Sequence, residues 1–404
     1  MIVCRSCGGE VSIVLSLGPA PLANALRSAD RLDEAETRYP LDLAVCRRCS
    51  LAQLAETVPP AVLFKDYPYL SSFSDTMLRH AEMLAATLVH RYALDSDALV
   101  IEIGSNDGYL LQYLRSAGIR VLGIDPARAA CARAESRSIP MREAFFGSAL
   151  ADALVREGLR PNAIVANNVM AHVPDLNDVV AGIARLLAPG GVFVMETPYV
   201  RDLMEGLEFD TIYHEHVFYY SFTAIDQMLV RHGLRPIDVA RVPIHGGSLR
   251  VSAAVDAARA SSAVAALLAE EAEWGVRELT TYRTFADRVS AVRVELREFL
   301  LARKKAGRRL AAYGAAAKGA MLLSTLGIGS EVLDFVVDRN PRKQGHYLPG
   351  THVPISPPER LLSDMPDDVL LLAWNFADEI QAQQAEYRRR GGTFIVPIPV
   401  LRVA

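Results

Sequence analysis

The sequence of 404 residues predicts an α/β protein in three parts. Three observations support this prediction. Two C-x-x-C pairs lie in a short, turn-rich N-terminal region, strand-like and helix-like segments alternate over 61–255, and a strand–glycine–helix pattern returns after residue 306. Such alternation is typical of a doubly wound parallel sheet. We therefore expect a small module over 1–60, a central sheet over 61–255, and a helical linker followed by a smaller α/β unit over 256–404.

Composition narrows the class of protein further. Hydrophobic residues make up 51% of the chain and charged residues 22%, which describes an ordinary soluble globular protein. The net charge of −4 argues against a nucleic-acid binder, since such proteins usually present a basic surface. No apolar run is long enough to span a bilayer, and the N-terminal MIVCRSCGGE lacks the pattern of a secretory signal. We expect a cytoplasmic protein with neither a nucleic-acid nor a membrane partner.

Four of the five cysteines lie in the N-terminal region, as Cys4 and Cys7 and then Cys46 and Cys49. In a reducing compartment, two C-x-x-C pairs indicate a metal before they indicate disulfides. Four thiolates fill a tetrahedral zinc site and leave no position for a substrate water. The pattern therefore predicts a structural zinc ion, which would stabilise a module too small for a large core. The alternative is four reduced cysteines without a metal.

In the central part, the apolar spacing of 76–93 predicts a helix, and ALVIEIGSNDG is typical of a strand that enters a glycine turn. A helix and a second strand, RVLGID, follow. The glycines let the backbone approach an adenosyl ligand, and Asp125 at the end of the second strand can accept its ribose hydroxyls. This layout suits both S-adenosylmethionine and a nicotinamide dinucleotide.

Two details favour S-adenosylmethionine as the ligand. GSNDG is not the G-x-G-x-x-G turn of pyrophosphate binders. Glu102, directly before the turn, would also repel a pyrophosphate, whereas it suits a sulfonium ligand that carries an amino acid. The residues that we predict to contact this methyl donor are Glu102, Gly104, Ser105, Asn106, Asp107, Asp125, Pro126, Asn167 and Asn168, and the family resemblance given below implies Tyr69 and Ser72 in addition.

A second cluster, Tyr213-His214-Glu215-His216, follows a predicted strand of the central sheet. Its H-E-H spacing excludes the H-E-x-x-H helix of zinc proteases. A histidine beside a carboxylate and a tyrosine is a fair arrangement for a general base, although a buried, hydrogen-bonded loop is the alternative. His172 follows a neighbouring strand, where it either faces the same cavity or is structural.

Residues 260–306 predict one or two long helices, after which the second strand–glycine–helix pattern begins. In YGAAAKG, at 313–319, Lys318 stands at a predicted helix start, and helix N-termini and lysines attract phosphate. DRNPRKQG, at 338–345, adds basic residues after the next strand. The alternative is a turn followed by a solvated run of charges.

Taken together, these motifs resemble the nucleotide-sugar C-methyltransferases that make branched deoxysugars, over nearly the whole chain. The matching features, beside the four cysteines, are PLAN at 21–24, YPYLSS at 67–72, EIGSNDG, the Y-H-E-H cluster, HGGSLR at 245–250, YGAAAKG and DRNPRKQG. The resemblance implies a zinc-binding module, a Rossmann-like methyltransferase core, and a C-terminal Rossmann-like domain that holds the nucleotide of the sugar.

The reaction that the resemblance implies is methylation of a carbon beside a keto group, typically C3 of a 4-keto-6-deoxy sugar linked to thymidine diphosphate. A carbon nucleophile needs a base and a group that stabilises the enolate. By motif position His216 is the candidate base, Glu215 orients it, and Tyr213, His172 and Tyr67 hydrogen-bond the sugar and its enolate. The predicted substrate-binding residues are Tyr313, Gly314, Lys318, Gly319, Asp338, Asn340 and Lys343.

This chain departs from the family pattern at Ala320, where relatives often have an asparagine. The departure concerns the contacts with the base or the phosphates, and with them the identity of the nucleotide. Alternative functions are a nicotinamide-dependent sugar oxidoreductase or epimerase, a non-enzymatic zinc-ribbon binding module, and a methyltransferase with an oxygen or nitrogen acceptor. We expect a nucleotide sugar as the small-molecule partner and a monomer or a weak homodimer.

Overall fold

Three β-sheets, one for each predicted part of the chain, organise the computed structural model. The structure describes residues 2–64, 70–244, 246–255 and 260–404. The predicted α/β class is confirmed, since two of the sheets are largely parallel and pack against helices. The boundaries between the three parts stay predictions.

The N-terminal sheet is small and antiparallel. Cys4 and Cys7 lie at the turn before its first strand, Cys46 ends the second strand, and Cys49 is the last residue of the turn that follows. This arrangement brings the two C-x-x-C pairs to one end of the sheet. Its first three strands are β1 (Val11–Ser16), β2 (Asp42–Cys46) and β3 (Ala52–Leu54).

The central part alternates helices and strands, as the sequence predicts, and its helix α2 confirms the helix predicted for 76–93. Its helices cover both faces of one seven-stranded sheet. In chain order its elements are α1 (Pro60–Phe64), α2 (Asp75–Arg91), β4 (Leu99–Ile103), α3 (Leu111–Ser116), β5 (Arg120–Asp125), α4 (Arg128–Ser136), β6 (Met141–Glu143), α5 (Ser148–Arg156), β7 (Ala163–Asn167), α6 (Leu176–Leu186), β8 (Val192–Pro198), α7 (Val200–Glu205), β9 (Phe218–Tyr219), α8 (Phe222–Arg231), β10 (Arg235–Val242) and β11 (Ser248–Ala254).

The seven strands lie in the order β6-β5-β4-β7-β8-β11-β10. All run parallel except β11, which is antiparallel to both of its neighbours. The sheet therefore differs from a purely parallel one, because the short connection from β10 to β11 permits only an antiparallel return. The chain winds in opposite directions on the two sides of β4, and this switch point opens a crevice at the carboxyl ends of β4 and β7.

One short strand of the central part joins the N-terminal sheet instead. β9 pairs with β3, with Ala52 opposite Tyr219 and Gln53 opposite Phe218. The N-terminal sheet thus takes its fourth strand from far along the chain, across the boundary predicted near residue 60.

Two helices, α9 (Ser262–Trp274) and α10 (Leu279–Lys305), confirm the long helices predicted between the central and C-terminal parts. The α10 helix packs against β1, α7 and α11, and so touches all three parts of the chain. Neither α10 nor any other helix within the described ranges combines the length and apolar composition needed to cross a membrane.

The C-terminal sheet repeats the doubly wound arrangement in the order β14-β13-β12-β15-β16-β17, with only β17 antiparallel. Its switch point lies at the carboxyl ends of β12 and β15. The elements are β12 (Leu310–Tyr313), α11 (Ala317–Leu326), β13 (Leu333–Val337), β14 (Ile355–Ser356), α12 (Arg360–Asp364), β15 (Asp368–Leu371), α13 (Ala377–Gln383), α14 (Ala385–Arg389), β16 (Thr393–Val396) and β17 (Arg402–Val403).

A buried carboxylate on α9 fixes the start of α8, which directly follows β9. Glu271 is fully buried, and it accepts the backbone N–H groups of Phe222 and Thr223 at 2.6 and 2.7 Å. It also accepts the Thr223 hydroxyl at 2.6 Å. A carboxylate at a helix N-terminus satisfies N–H groups that have no partner within the helix.

We expect Glu271→Ala to lower the free energy of unfolding by about 3 kcal/mol, because it leaves three buried donors without an acceptor. Urea denaturation measures the loss. Glu273→Ala, on an exposed face of the same helix, is the matched control and should change stability by less than about 0.5 kcal/mol. Equal losses in the two variants would contradict this role of Glu271.

Candidate active site

The turn after β4 presses against the loop after β7. Gly104 has a φ of +66°, and a Cβ atom there would lie 2.4 Å from Cγ2 of Val169. Both the backbone angle and this close approach require glycine. The structure therefore places the predicted glycine turn at the crevice of the central sheet.

Asp125, at the end of β5, braces the same turn. Its Oδ2 atom accepts the backbone N–H of Asn106 at 2.9 Å, and its Oδ1 atom accepts that of Ala127 at 2.8 Å. Each carboxylate oxygen keeps a second lone pair, so Asp125 can also accept ribose hydroxyls. Pro126 is half-buried beside it, and Ser105 is fully buried within the turn.

Three carboxylates give this crevice a negative character, since Glu102, Asp107 and Asp125 are each at most 7% exposed. Neither oxygen of Glu102 has a hydrogen-bond partner in the described part of the chain. Burial, together with the charges of Asp125 and Asp107, holds the pKa of Glu102 well above its usual value. A cationic ligand would relieve this repulsion, whereas a pyrophosphate would add to it. The crevice therefore fits the sulfonium and ammonium groups of S-adenosylmethionine.

The segment before α2 is fastened over the glycine turn. Ser71 donates its backbone N–H to Oδ1 of Asn106 at 2.9 Å, and the Ser72 hydroxyl donates to Asp107. Asp107 also lies 3.6 Å from Nε of Arg133. The predicted direct contacts of Ser72, Asn106 and Asp107 with the methyl donor, S-adenosylmethionine, stay predictions. The predicted Tyr67 and Tyr69 lie outside the described residues, as does His245 of the HGGSLR motif.

The loop after β7 links this crevice to the second cluster. The Oδ1 atoms of Asn167 and Asn168 are buried, and neither has a hydrogen-bond partner among the residues that the structure describes. A short 3-10 turn, Met170–His172, follows directly. One stretch of chain thus carries two amides at the crevice of the central sheet and an imidazole a few residues further on. We refer to this crevice as the donor crevice, after the methyl donor that it is predicted to bind.

Residues 209–220 connect α7 to α8 and carry the predicted base, and we refer to them as the 209–220 segment. His216 and Tyr213 are half-buried, whereas His214 and Glu215 are only 2% and 4% exposed. The tyrosine hydroxyl lies 3.1 Å from Nε2 of His216, and Nδ1 of His216 lies 2.9 Å from the carbonyl oxygen of Thr211. A carbonyl oxygen only accepts, so Nδ1 carries the proton and Nε2 accepts from the Tyr213 hydroxyl.

His172 lies against this pair. Its ring meets the ring of His216 edge-on, with 4.9 Å between the centroids, and its Nδ1 atom donates to the carbonyl oxygen of Glu215 at 2.7 Å. Burial lowers the pKa of His172 to about 4, so that its imidazole is neutral near pH 7. The sequence left two interpretations of His172 open, and the structure places it beside the predicted base.

The crevice of the C-terminal sheet has the same construction as the donor crevice. Asp338, just after β13, accepts the backbone N–H groups of Ala315 and Asn340 at 2.7 and 2.8 Å. Asp125 accepts the corresponding pair of N–H groups, one from the preceding turn and one two residues further on. Gly314 has a φ of +98°, and Lys343 donates to the carbonyl oxygen of Ala315 at 2.7 Å.

Lys318 points from α11 toward the 209–220 segment. Its ammonium lies 4.2 Å from the ring centroid of Trp374 and donates to the side chain of Asn375. Burial lowers its pKa, and the carboxylates of Asp210 and Glu208 act in the opposite direction. Its predicted contact with phosphate stays a prediction.

The sequence analysis missed Trp374 and Asp210, which join the two parts of the site. Trp374 donates its indole N–H to Oδ2 of Asp210 at 2.7 Å, and Asp210 is fully buried. Burial also raises the pKa of Glu208, two residues earlier, to about 7, with Asp210 adding to the shift. No sequence motif marks this contact, since Trp374 follows β15 and Asp210 precedes the Y-H-E-H cluster.

Two of the predicted substrate-binding residues also pack closely inside the C-terminal part, and their contacts with the substrate stay predictions. The ring of Tyr313 is 4% exposed and lies in the hydrophobic core of the C-terminal sheet. At Gly319 a Cβ atom would lie 2.8 Å from both the Gly314 carbonyl oxygen and Cβ of Leu372. Glycine is therefore needed there so that α11 can pack against the turn. Ala320, where relatives often have asparagine, is also buried in the core.

The four predicted metal ligands converge. Sγ of Cys4 lies 3.5 Å from Sγ of Cys49, Sγ of Cys7 lies 3.5 Å from Sγ of Cys46, and all four sulfur atoms are within 4.8 Å of one another. Tetrahedral zinc with Zn–S bonds of about 2.3 Å needs sulfur atoms roughly 3.8 Å apart. The donor set and its spacing fit a zinc ion with four protein ligands and a structural role.

These features define a class of protein before any comparison is made. The central switch point offers a buried acidic crevice for a cationic adenosyl ligand, and the adjoining loop leads to a histidine–tyrosine pair. Such an arrangement is that of an S-adenosylmethionine-dependent methyltransferase of the α/β type.

Family models cover most of the chain. Residues 4–64 match the model described as "Putative zinc binding domain", residues 77–239 match a methyltransferase domain, and residues 243–399 match the C-methyltransferase C-terminal domain. The C-methyltransferase NovU of Streptomyces niveus is 41% identical over 404 residues, which cover 99% of this chain and 96% of that relative.

Two further matches are more distant. A ubiquinone biosynthesis O-methyltransferase of Methylobacterium sp. (strain 4-46) is 32% identical over 102 residues, which cover 24% of this chain and 40% of that protein. The crystal structure of magnesium protoporphyrin IX methyltransferase (ChlM) from Synechocystis PCC 6803 with bound SAM aligns with a TM-score of 0.34 and 15% identity, over 44% of this chain and 78% of that one.

The chain belongs to the C-methyltransferase family, as the full-length match at 41% identity shows. It is an S-adenosylmethionine-dependent C-methyltransferase with an N-terminal zinc-binding module. The family membership favours carbon over oxygen or nitrogen as the methyl acceptor. It also favours a methyltransferase over an oxidoreductase or a non-enzymatic binding module.

We expect Gly104→Ala to weaken the binding of S-adenosylhomocysteine roughly tenfold or more, because the added methyl group must displace Val169 and the turn. Isothermal titration calorimetry measures the affinity. Gly118→Ala is the matched control, since Gly118 also has a positive φ but has open space around its Cβ position. It should lose about 1 kcal/mol of stability and keep its affinity. Unchanged affinity in Gly104→Ala would contradict the placement of the donor.

The pKa of His172 predicts a pH dependence of stability. The pKa of His172 is about 4 in the folded protein and 6.5 in the unfolded chain. At pH values between these two, the unfolded chain binds more protons than the folded protein. The contribution of the neutral imidazole is therefore complete above about pH 7 and is lost as the pH falls from 6.5 toward 4. We expect the unfolding free energy in urea to fall less steeply between pH 7 and pH 5 in His172→Gln.

His90→Gln, at an exposed position on α2, is the control for this measurement and should keep the wild-type slope. Parallel pH profiles for the wild type and His172→Gln would show that His172 is not buried in its neutral form.

Proposed function

We propose that this C-methyltransferase methylates a carbon beside a keto group, at C3 of a 4-keto-6-deoxy sugar linked to thymidine diphosphate. The observation that supports it best is the position of the His216–Tyr213 pair. The pair lies on a segment that meets the donor loop through His172 and the C-terminal crevice through Asp210. A base at this position would lie between the crevice for the methyl donor and the crevice proposed for the substrate, where it could remove a proton from the acceptor carbon.

His216 is the proposed base, and Nε2 is the nitrogen that takes the proton. Its Nδ1–H is held by the carbonyl oxygen of Thr211, which fixes the tautomer that leaves the Nε2 lone pair available to a proton. In this structure the Tyr213 hydroxyl donates to Nε2. When the substrate binds, the tyrosine hydroxyl would turn to the C4 keto oxygen and stabilise the enolate.

The C3 proton moves to Nε2 of His216, and the electron pair of the C–H bond becomes the enolate. S-adenosylmethionine supplies an activated methyl group, and the new C–C bond forms as the bond to sulfur breaks. His172 packs edge-on against the ring of His216, and because it is neutral near pH 7 with a pKa of about 4, it does not compete for the proton. Glu215 accepts the Nδ1–H of His172 at its carbonyl oxygen and so keeps this ring in place.

The repeated aspartate geometry supports a nucleotide as the carrier of the sugar. Asp125 and Asp338 accept the same pattern of backbone N–H groups at the switch points of their sheets. We therefore propose that the C-terminal crevice holds the nucleotide, with Asp338 on a ribose hydroxyl, Asn340 beside it, and Lys318 and Lys343 near the diphosphate. The cytoplasmic location and the monomeric or weakly dimeric state stay predictions from the sequence.

The direct test is incubation with methyl-labelled donor and a panel of nucleotide-linked 4-keto sugars, with the products analysed by mass spectrometry and NMR. We expect one methyl group on carbon in the thymidine-linked substrate. His216→Asn should lower kcat about 100-fold or more with unchanged binding of S-adenosylhomocysteine, whereas the exposed His90→Asn should match the wild type. Tight binding of S-adenosylhomocysteine without methylation of any sugar would overturn the proposed acceptor.

A further inference from the structure

The 209–220 segment is built into the N-terminal module along its backbone. β9, which starts two residues after His216, forms the fourth strand of the module sheet against β3. The backbone N–H of Leu54 donates to the carbonyl oxygen of Val217 at 2.8 Å, which extends this pairing one residue closer to the proposed base. The module therefore fixes the path of the chain at the site.

Side chains of the segment make a second set of contacts with the module. His214 donates its Nε2–H to the carbonyl oxygen of Tyr39 at 3.2 Å, and its ring meets the Tyr39 ring edge-on. Asn24 donates its side-chain N–H to Oε1 of Glu215 at 2.6 Å. Asn24 is the last residue of the PLAN motif, a motif to which the reaction described so far assigns no role.

Glu215 transmits this contact to both histidines. Its carbonyl oxygen accepts the Nδ1–H of His172, and His216 is its neighbour in the chain. A carboxylate that is only 4% exposed needs donors, and an amide supplies one without adding a charge. The amide of Asn24 therefore holds the carboxyl group of Glu215 in one orientation, and the backbone carbonyl of Glu215 holds His172 against His216.

We propose that Asn24 is a positioning residue for the base, acting through Glu215, and that the zinc-binding module thereby forms part of the acceptor site. The proposal rests on the proposed function for the reaction that it serves. The donor crevice is built by residues of the central part, so the loss of Asn24 should affect proton abstraction and leave donor binding intact.

The experiment measures proton abstraction separately from methyl transfer. The thymidine-linked 4-keto sugar is incubated in deuterium oxide with enzyme and S-adenosylhomocysteine, and exchange at C3 is followed by NMR. We expect Asn24→Ala to slow this exchange roughly 10- to 100-fold, because a hydrogen bond to a buried carboxylate is lost. The affinity for S-adenosylhomocysteine and the zinc content should equal those of the wild type.

Asn177→Ala is the matched control. Asn177 donates its side-chain N–H from the central part to the carbonyl oxygen of Arg5 in the module at 2.8 Å, away from the 209–220 segment. The variant removes a hydrogen bond that an asparagine side chain makes between the same two parts of the chain. Its rate of proton exchange at C3 should stay within about twofold of the wild type. An equal slowing in Asn177→Ala would show general loosening of the module and would overturn the positioning role.

A pH profile of Asn24→Asp gives a readout that a merely structural role would not change. Above neutral pH the variant places a second carboxylate against Glu215, and exchange should be slow. As the pH falls, one of the two carboxyls takes up a proton and donates in place of the amide, so that the exchange rate relative to the wild type should rise. A constant ratio across the pH range would contradict the proposal.

The failures of the two proposals are distinguishable. If the wild type binds S-adenosylhomocysteine but exchanges no proton at C3, the proposed enolate chemistry is wrong, and the role of Asn24 is wrong with it. If the wild type exchanges and Asn24→Ala exchanges equally fast, only the positioning role of Asn24 is overturned.

Discussion

The convergence of four sulfur atoms on one point is the constraint on which the rest of the site depends. Cys46 ends β2 and Cys49 precedes β3, so a metal bound by both knuckles fixes the geometry of the turn between these strands. β3 in turn sets the position of β9, and β9 starts two residues after His216. The geometry around the proposed base thus depends on bonds formed near the other end of the chain.

Two crevices of similar construction face the 209–220 segment from opposite parts of the molecule. In each, a glycine turn follows the first strand of a doubly wound sheet, and an aspartate at the end of the second strand accepts N–H groups from that turn. They differ in charge, because three carboxyl groups (Glu102, Asp107 and Asp125) lie at the central crevice whereas Lys318 and Lys343 border the other. This difference separates a cationic ligand from an anionic one.

Local patterns in the sequence predicted much of the fold and part of the site. The strand–turn–strand from Leu99 to Asp125 and the four cysteines could be identified because their spacing reflects nearby geometry. The pairing of β3 with β9 and the bond from Trp374 to Asp210 could not, since both join residues far apart in the chain. The burial of Tyr313 and the close packing at Gly319 could not be predicted either, because a motif does not show which of its residues pack inward.

The pairing of β3 with β9 also bears on how the chain folds. During synthesis the N-terminal cysteines emerge long before residues 218–219, so the metal can close the module while β3 still has an unpaired edge. Exposed strand edges invite pairing with other chains, and contacts between distant residues form slowly. Between the emergence of β3 and the arrival of β9, the edge of β3 is therefore open to pairing with other chains.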